Sequence, residues 1–200
     1  MTEGTGRSDR PFVQRLCTSL ARALKGIHVA YRNKTYVAFA SEDIRSYYLM
    51  KAWRENENID FDFFDAHDIN TALDTSQPET IRRRLGERLS NTKQTVVLLS
   101  STTKPKAGRS SSFLYYEIEA IKRRNLPVVF VNLNQSRTVE SSKIPTMLKE
   151  HYSINVSFQP VIIKYALDEY VEAFKKNLTA ADPKTTPHYY KEHVYKNLGL

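Results

Sequence analysis

The chain has 200 residues, enough for one domain with a sizeable core and extensions at either end. Hydrophobic residues make up 40% and aromatics 11%, which excludes a compositionally disordered chain. A net charge of +8 favours anionic partners, while a single cysteine, Cys17, excludes an internal disulfide framework and a cysteine-based zinc site.

The N-terminus, MTEGTGRSDRPFVQRLCTSLARALKG, lacks the apolar core of a signal peptide. No run approaches the ~18 apolar residues that span a bilayer. A cytoplasmic protein without membrane contact is expected. Within residues 1–34, treated as an N-terminal extension, Phe12, Leu16, Leu20 and Leu24 recur every fourth place and predict an amphipathic helix.

From Thr35 strands and helices alternate. TYVAFA is a short apolar strand, followed by a helix over SEDIRSYYLMKAWRE whose first residues, Ser41, Glu42 and Asp43, suit its N-terminal amides. IDFDFFD alternates at Ile59, Phe61 and Phe63 and predicts a second strand, with the loop AHDINTALDTSQP after it. A helix over about 79–90 carries Ile81, Leu85 and Leu89 on one face, and QTVVLLS reads as a buried third strand. The stretch SSSFLYYEIEAIKRRNLPVVFVNLN supplies the next helix and strand. After a looser segment, PVIIKY predicts a fifth strand and ALDEYVEAFKKNL a last helix. Five strands separated by helices, three of them apolar on both faces, predict an open, mainly parallel α/β sheet with helices on both faces, of flavodoxin-like topology. That domain covers residues 35–180, and 181–200 reads as an appended segment with a short helix.

In such a sheet ligands bind beyond the carboxyl ends of the strands where strand order reverses. For the order 2-1-3-4-5 that crevice joins Ala40, Ser41, Glu42 and Asp43 to Ser100, Ser101 and Thr102. The helix that begins just beyond carries two glutamates. At about 100° per residue, Leu114, Ile118 and Ile121 form its core stripe; Glu119 points away from it, whereas Glu117 flanks it beside Phe113. From pattern alone Glu117 is either a boundary residue reaching water or Arg124, or a carboxylate lining a pocket wall, where partial burial would raise its pKa.

Other constellations are poor. Neither GxGxxG nor GxxxxGK[ST] occurs, and the five histidines, among them His188 and His193, have no metal-ligand spacing. The aspartates at 62, 65 and 68 read as a cap or solvated turn. Ser100 stands where a phospho-receiver needs an aspartate. The triplets Arg82 to Arg84 and Lys122 to Arg124 read as wet helix faces, and no specific nucleic-acid partner is expected.

The order YVAFASED, FDFFDAHD, IRRRLGERLSNTKQTVVLLSSTTK and FLYYEIEAIKRRNLPVVFVNLN resembles the TIR-domain superfamily, most closely the prokaryotic TIR-like branch found in Thoeris antiphage systems. The similarity spans about Thr35 to Asn134 and, more loosely, reaches Leu178. It implies an enzyme that cleaves the nicotinamide glycosidic bond of NAD, as glycohydrolase or ADP-ribosyl cyclase, with NAD as substrate and no metal or other cofactor. The product would be an ADP-ribose-derived second messenger acting on a separate effector. A phage-derived activator and TIR self-association are the further partners implied. By matching position Glu117 would be catalytic, and Phe113, which stands where relatives often carry Trp, would contact substrate; Ser41, Glu42, Asp43, Phe63 and Asp65 would line the substrate site, together with Ser100, which the strand order places at the same crevice. The alternative is a TIR-like interaction module without catalysis, binding like domains.

Overall fold

The computed structural model describes residues 34–65 and 77–200, so the expected helix near the N-terminus, Asp68 and most of the loop after the second strand lie outside the described residues. The central strands set the architecture. β3 (Gln94–Leu99) and β4 (Val128–Asn132) are buried at every residue, as expected of parallel strands covered on both faces. They pair in parallel, Val97 opposite Phe130, and β1 (Lys34–Ala38) lies on the other side of β3 with Tyr36 opposite Thr95. With β2 (Phe64–Asp65), β5 (Ser153–Ser157) and β6 (Pro187–Tyr189) the sheet has six strands in the order β2-β1-β3-β4-β5-β6, parallel throughout.

Alternation along each strand divides the core into two layers. Tyr36, Ala38, Val97, Leu99, Val128 and Phe130 face one layer, closed by α2 (Pro78–Leu89) through Ile81, Leu85 and Leu89 and by α4 (Phe113–Arg123) through Leu114, Ile118 and Ile121. The short helix α3 (Thr103–Ala107) joins this layer through Ala107. Val37, Val96, Leu98, Val129 and Val131 face the other, closed by α1 (Ile44–Glu55), α5 (Pro160–Leu178) and α6 (Glu192–Asn197) through residues such as Tyr47, Ile163, Tyr170 and Tyr195. Each fully buried Val, Leu or Ile contributes about 1.5–3 kcal/mol by leaving water.

Four local expectations change. PVIIKY is not a strand but the first turns of α5; the fifth strand is SINVS, immediately before it. Pro160 begins the helix, where its fixed φ suits the first turn and its missing N–H costs nothing. Val161 is 38% exposed whereas Ile162 and Ile163 are fully buried, a helical pattern that continues through Ala166, Leu167 and Tyr170. SINVS hides its strand character because Ser153, Asn155 and Ser157, all fully buried, alternate with its apolar residues. The second strand keeps its expected burial, Phe61 and Phe63 being buried, but only Phe64 and Asp65 join the ladder. A tight turn in which Phe61 N donates to Ile59 O at 2.8 Å breaks the extended run before them. Residues Ser41–Asp43 form a 3-10 turn ahead of α1, and neither element has a side-chain cap.

The C-terminal segment is part of the sheet. β6 extends the edge beside β5, with Pro187 at its first position, where an edge strand tolerates proline. Tyr195 on α6 is fully buried and its hydroxyl accepts from Ser157 N at 3.2 Å. Outside, Arg137 lies 4.5 Å over the Tyr195 ring and pairs with Glu192 at 2.9 Å. Replacing Tyr195 by Ala is expected to lower unfolding free energy by about 3–5 kcal/mol, as for other large buried rings. Urea unfolding measures this, and an unchanged midpoint would place the segment outside the cooperative fold.

Candidate functional site

Helical spacing sets Glu117 one turn after Phe113, on the flank of the α4 stripe, and the packing of α4 on the sheet turns it inward. It is 2% exposed, and the fully buried Tyr36 of β1 donates its hydroxyl to Glu117 Oε1 at 2.5 Å. From the last turn of α2, the Arg88 guanidinium reaches the same hydroxyl. Burial disfavours the charged carboxylate and pushes its pKa up to about 8, against the opposing pull of the Tyr36 bond and the positive charge of Arg88. Burial, and then the neighbouring Glu117, raise the Tyr36 pKa well above the ordinary phenol value, so the hydroxyl keeps its proton at neutral pH.

The alternative in which Glu117 reaches water or Arg124 does not hold: the carboxyl is buried against Tyr36, and Arg124 donates to Gly86 O at 2.8 Å. Glu119 turns away as expected and accepts from Arg82 Nε at 3.1 Å. Phe113 is half-buried and packs on the same layer as Tyr36, Leu114 and Ala107.

The crevice between β1 and β3 is tied by Asp43 and Ser100, whose Oγ donates to Asp43 Oδ2 at 2.7 Å. Thr102 Oγ1 lies 2.8 Å from the same Ser100 Oγ, and Thr103 Oγ1 accepts from Ser100 N at 2.8 Å while donating to Leu98 O at 2.9 Å. Partial burial raises the Asp43 pKa and the Ser100 bond draws it back. Ser41 is exposed and donates to Glu42 at 3.1 Å; Glu42 pairs with Lys106 of α3 at 2.9 Å, which holds its pKa below the ordinary carboxylate value. The first-strand loop, the third-strand end and α3 are thus linked, and α3 in turn packs in the layer that holds Phe113.

Two expected site residues lie elsewhere. Phe63 packs against Phe61 in the layer of Val37 and Tyr47, across the sheet from Glu117, with Arg54 5.4 Å over its ring. Asp65 accepts from Tyr47 at 2.6 Å and so belongs to the β2 edge.

The residues that sequence reasoning missed are Tyr36 and Arg88. Tyr36 carried a signal, since a tyrosine inside a buried strand needs a partner for its hydroxyl. Identifying that partner as Glu117, 81 positions away, required the order of β1, β3 and α4. Of the basic residues, Arg82 and Arg83 are neutralised locally, by Glu119 and Glu87, while Lys122 and Arg123 face solvent.

Residues 36–138 match the family model described as "Thoeris protein ThsB, TIR-like domain". The matched segment holds β1 from Tyr36 onward, β3, β4, the crevice and Glu117. No curated protein matches the chain.

The burial of Glu117 has a stability consequence. Its folded pKa lies above the 4.5 of an ordinary glutamate, so between about 4.5 and 8 the folded protein keeps a proton that the unfolded chain has released. Stability contributed by this group is therefore present below that window and lost as pH rises through it. Glu117→Gln, which does not titrate, is expected to gain in melting temperature relative to the original protein from pH 5 to pH 9. A gap that stays flat across this range would contradict the burial of an ionisable carboxyl.

Proposed function

The chain belongs to the TIR-like domain family of the Thoeris protein ThsB, a TIR module of antiphage defence, and from that premise we propose that it cleaves NAD at the nicotinamide glycosidic bond. The observation that supports this reading best is Glu117: a carboxylate beside Phe113 at the start of α4, within the family-matched segment, in surroundings that perturb its proton affinity. In the proposed reaction the bond between ribose C1′ and the pyridinium nitrogen breaks, and its electron pair neutralises the departing nicotinamide. Positive charge then spreads over C1′ and the ring oxygen. An ionised Glu117 stabilises that charge and orients the ribose hydroxyls, an electrostatic role that needs no metal and no protonation of the leaving group. Water captures C1′ and releases a proton to give ADP-ribose, or a nucleophile within the same molecule closes a ring. The product serves as a diffusible messenger to a separate effector, with a phage-derived activator and association of TIR domains as the controlling events. Phe113 supplies a ring for the substrate, and Ser41, Asp43 and Ser100 supply polar groups at the crevice.

A second reading is supported by a specific fact. Glu117 is nearly sealed from solvent, so a substrate meets it only when covering side chains give way; a TIR-like interaction module without catalysis needs no such opening.

The two readings part on incubation with NAD, with and without an extract of phage-infected cells. The enzyme reading expects nicotinamide release and a loss of about 100-fold or more in Glu117→Gln, the scale of removing a group that stabilises transition-state charge. Turnover absent in the original protein, or kept by a folded Glu117→Gln, would leave the interaction module. Because the active carboxylate is ionised, kcat/KM is expected to rise with pH and level off above about 8. A profile already flat from pH 6 would contradict an ionising Glu117.

A further inference from the structure

Resting on the catalytic reading of Glu117, we propose that Tyr36 is a positioning residue for that carboxylate: its hydroxyl, backed by Arg88, fixes Oε1 and leaves Oε2 to meet a substrate hydroxyl. Three observations carry this. The 2.5 Å bond crosses from the sheet to the helix between two side chains that are both buried, so water does not compete with it. Tyr36 is held in turn, because its ring packs among Leu85, Leu89, Ile118 and other residues of the α2 and α4 layer, and its strand is paired on both sides by β2 and β3. Arg88 comes from a third element, α2, and its positive charge acts on both the hydroxyl and the carboxylate, so the groups that favour the ionised form come from β1 and α2 rather than from α4 itself.

The charged and titratable groups are distributed accordingly. On α4 Glu119 is engaged by Arg82 at the surface and Tyr116 lies under the same guanidinium. From β1 and α2, the groups acting on Glu117 are Tyr36 and Arg88, and both favour its ionised form. A hydroxyl that donates to a carboxylate orients one oxygen and also stabilises the charge that the reaction uses. Losing it changes both at once, and the two effects separate experimentally. Misorientation lowers the plateau of activity, and loss of charge stabilisation moves the pH at which the plateau is reached.

The test compares the full chain with Tyr36→Phe, Arg88→Gln and Glu117→Gln, with NAD as the probe, measuring kcat and KM from pH 6 to pH 10 and folding by circular dichroism. In Tyr36→Phe the expected result is a fall in kcat of about tenfold at pH 7, the effect of a one-unit rise in the pKa of a group that must be ionised. KM should stay within about twofold, because a positioning residue does not itself bind substrate. The profile should shift to higher pH, with partial recovery of rate above pH 9. Arg88→Gln should shift the profile in the same direction by a smaller amount, and it decides the matter if Tyr36→Phe does not fold.

A Tyr36→Phe protein with unchanged kcat and pH profile, or with raised activity, would overturn the positioning role; raised activity would mean that the bond restrains Glu117 instead. Glu117→Gln distinguishes the two levels. If it is inactive while Tyr36→Phe behaves as the original, only the role of Tyr36 fails. If it turns over NAD normally, the catalytic reading of Glu117 fails and the positioning role fails with it.

Discussion

A carboxyl group placed between a central parallel sheet and the helix that covers it must be paired or neutral, because an isolated charge there loses its hydration. Glu117 meets this constraint in both ways. It accepts the Tyr36 hydroxyl, and its raised pKa keeps a large neutral fraction near pH 7. The arrangement depends on the whole layer. β1 must sit beside β3 so that Tyr36 faces α4, α4 must lie with Leu114, Ile118 and Ile121 on the sheet so that Glu117 turns inward, and α2 must end where Arg88 reaches the hydroxyl. A polar bond spanning two buried elements also restricts how α4 can settle on the sheet. With a pKa near 8, the ionised form that the proposed chemistry uses is the one that Tyr36 and Arg88 favour against burial.

The crevice is organised on different terms. Asp43 and Ser100 join the ends of β1 and β3 by a direct hydrogen bond, and the hydroxyls of Thr102 and Thr103 extend that cluster toward α3. Glu42 and Lys106 close the outer side with an exposed ion pair, which contributes little to stability but lowers the negative charge presented there. For the proposed substrate, an anionic dinucleotide, an ion-paired Glu42 and a partly buried, hydroxyl-bonded Asp43 are a better surface than two free carboxylates. Phe63 and Asp65 stand apart from this group because the β2 edge directs them to the opposite layer and to Tyr47.

Much of the architecture was legible because apolar period and burial agree. QTVVLL and PVVFVN admit few readings other than central parallel strands, and the spacing of Ile81, Leu85 and Leu89 marks a helix face. The fifth strand was not legible, since Ser153, Asn155 and Ser157 break its apolar run while Pro160 to Tyr165 offer a better imitation of one. The sixth strand was hidden for a related reason. It is three residues long, begins with proline and joins the fold through its pairing with β5 and the stacking of His188 on Tyr152, contacts set by tertiary structure. At the candidate site, helical geometry separated Glu117 from Glu119, but the partners of Glu117 lie 81 and 29 positions away in the chain and no local pattern names them.

A single buried carboxyl, Glu117, joins the packing of this layer to the proposed chemistry, and titrating it directly is the sharpest check. With glutamate labelled at the side-chain carboxyl and the Glu117 resonance assigned by comparison with Glu117→Gln, carbon NMR across pH 4 to 10 should give a midpoint near 8. A midpoint at the ordinary value of 4.5 would contradict the buried, Tyr36-bonded carboxyl on which both the fold of this layer and the proposed chemistry depend.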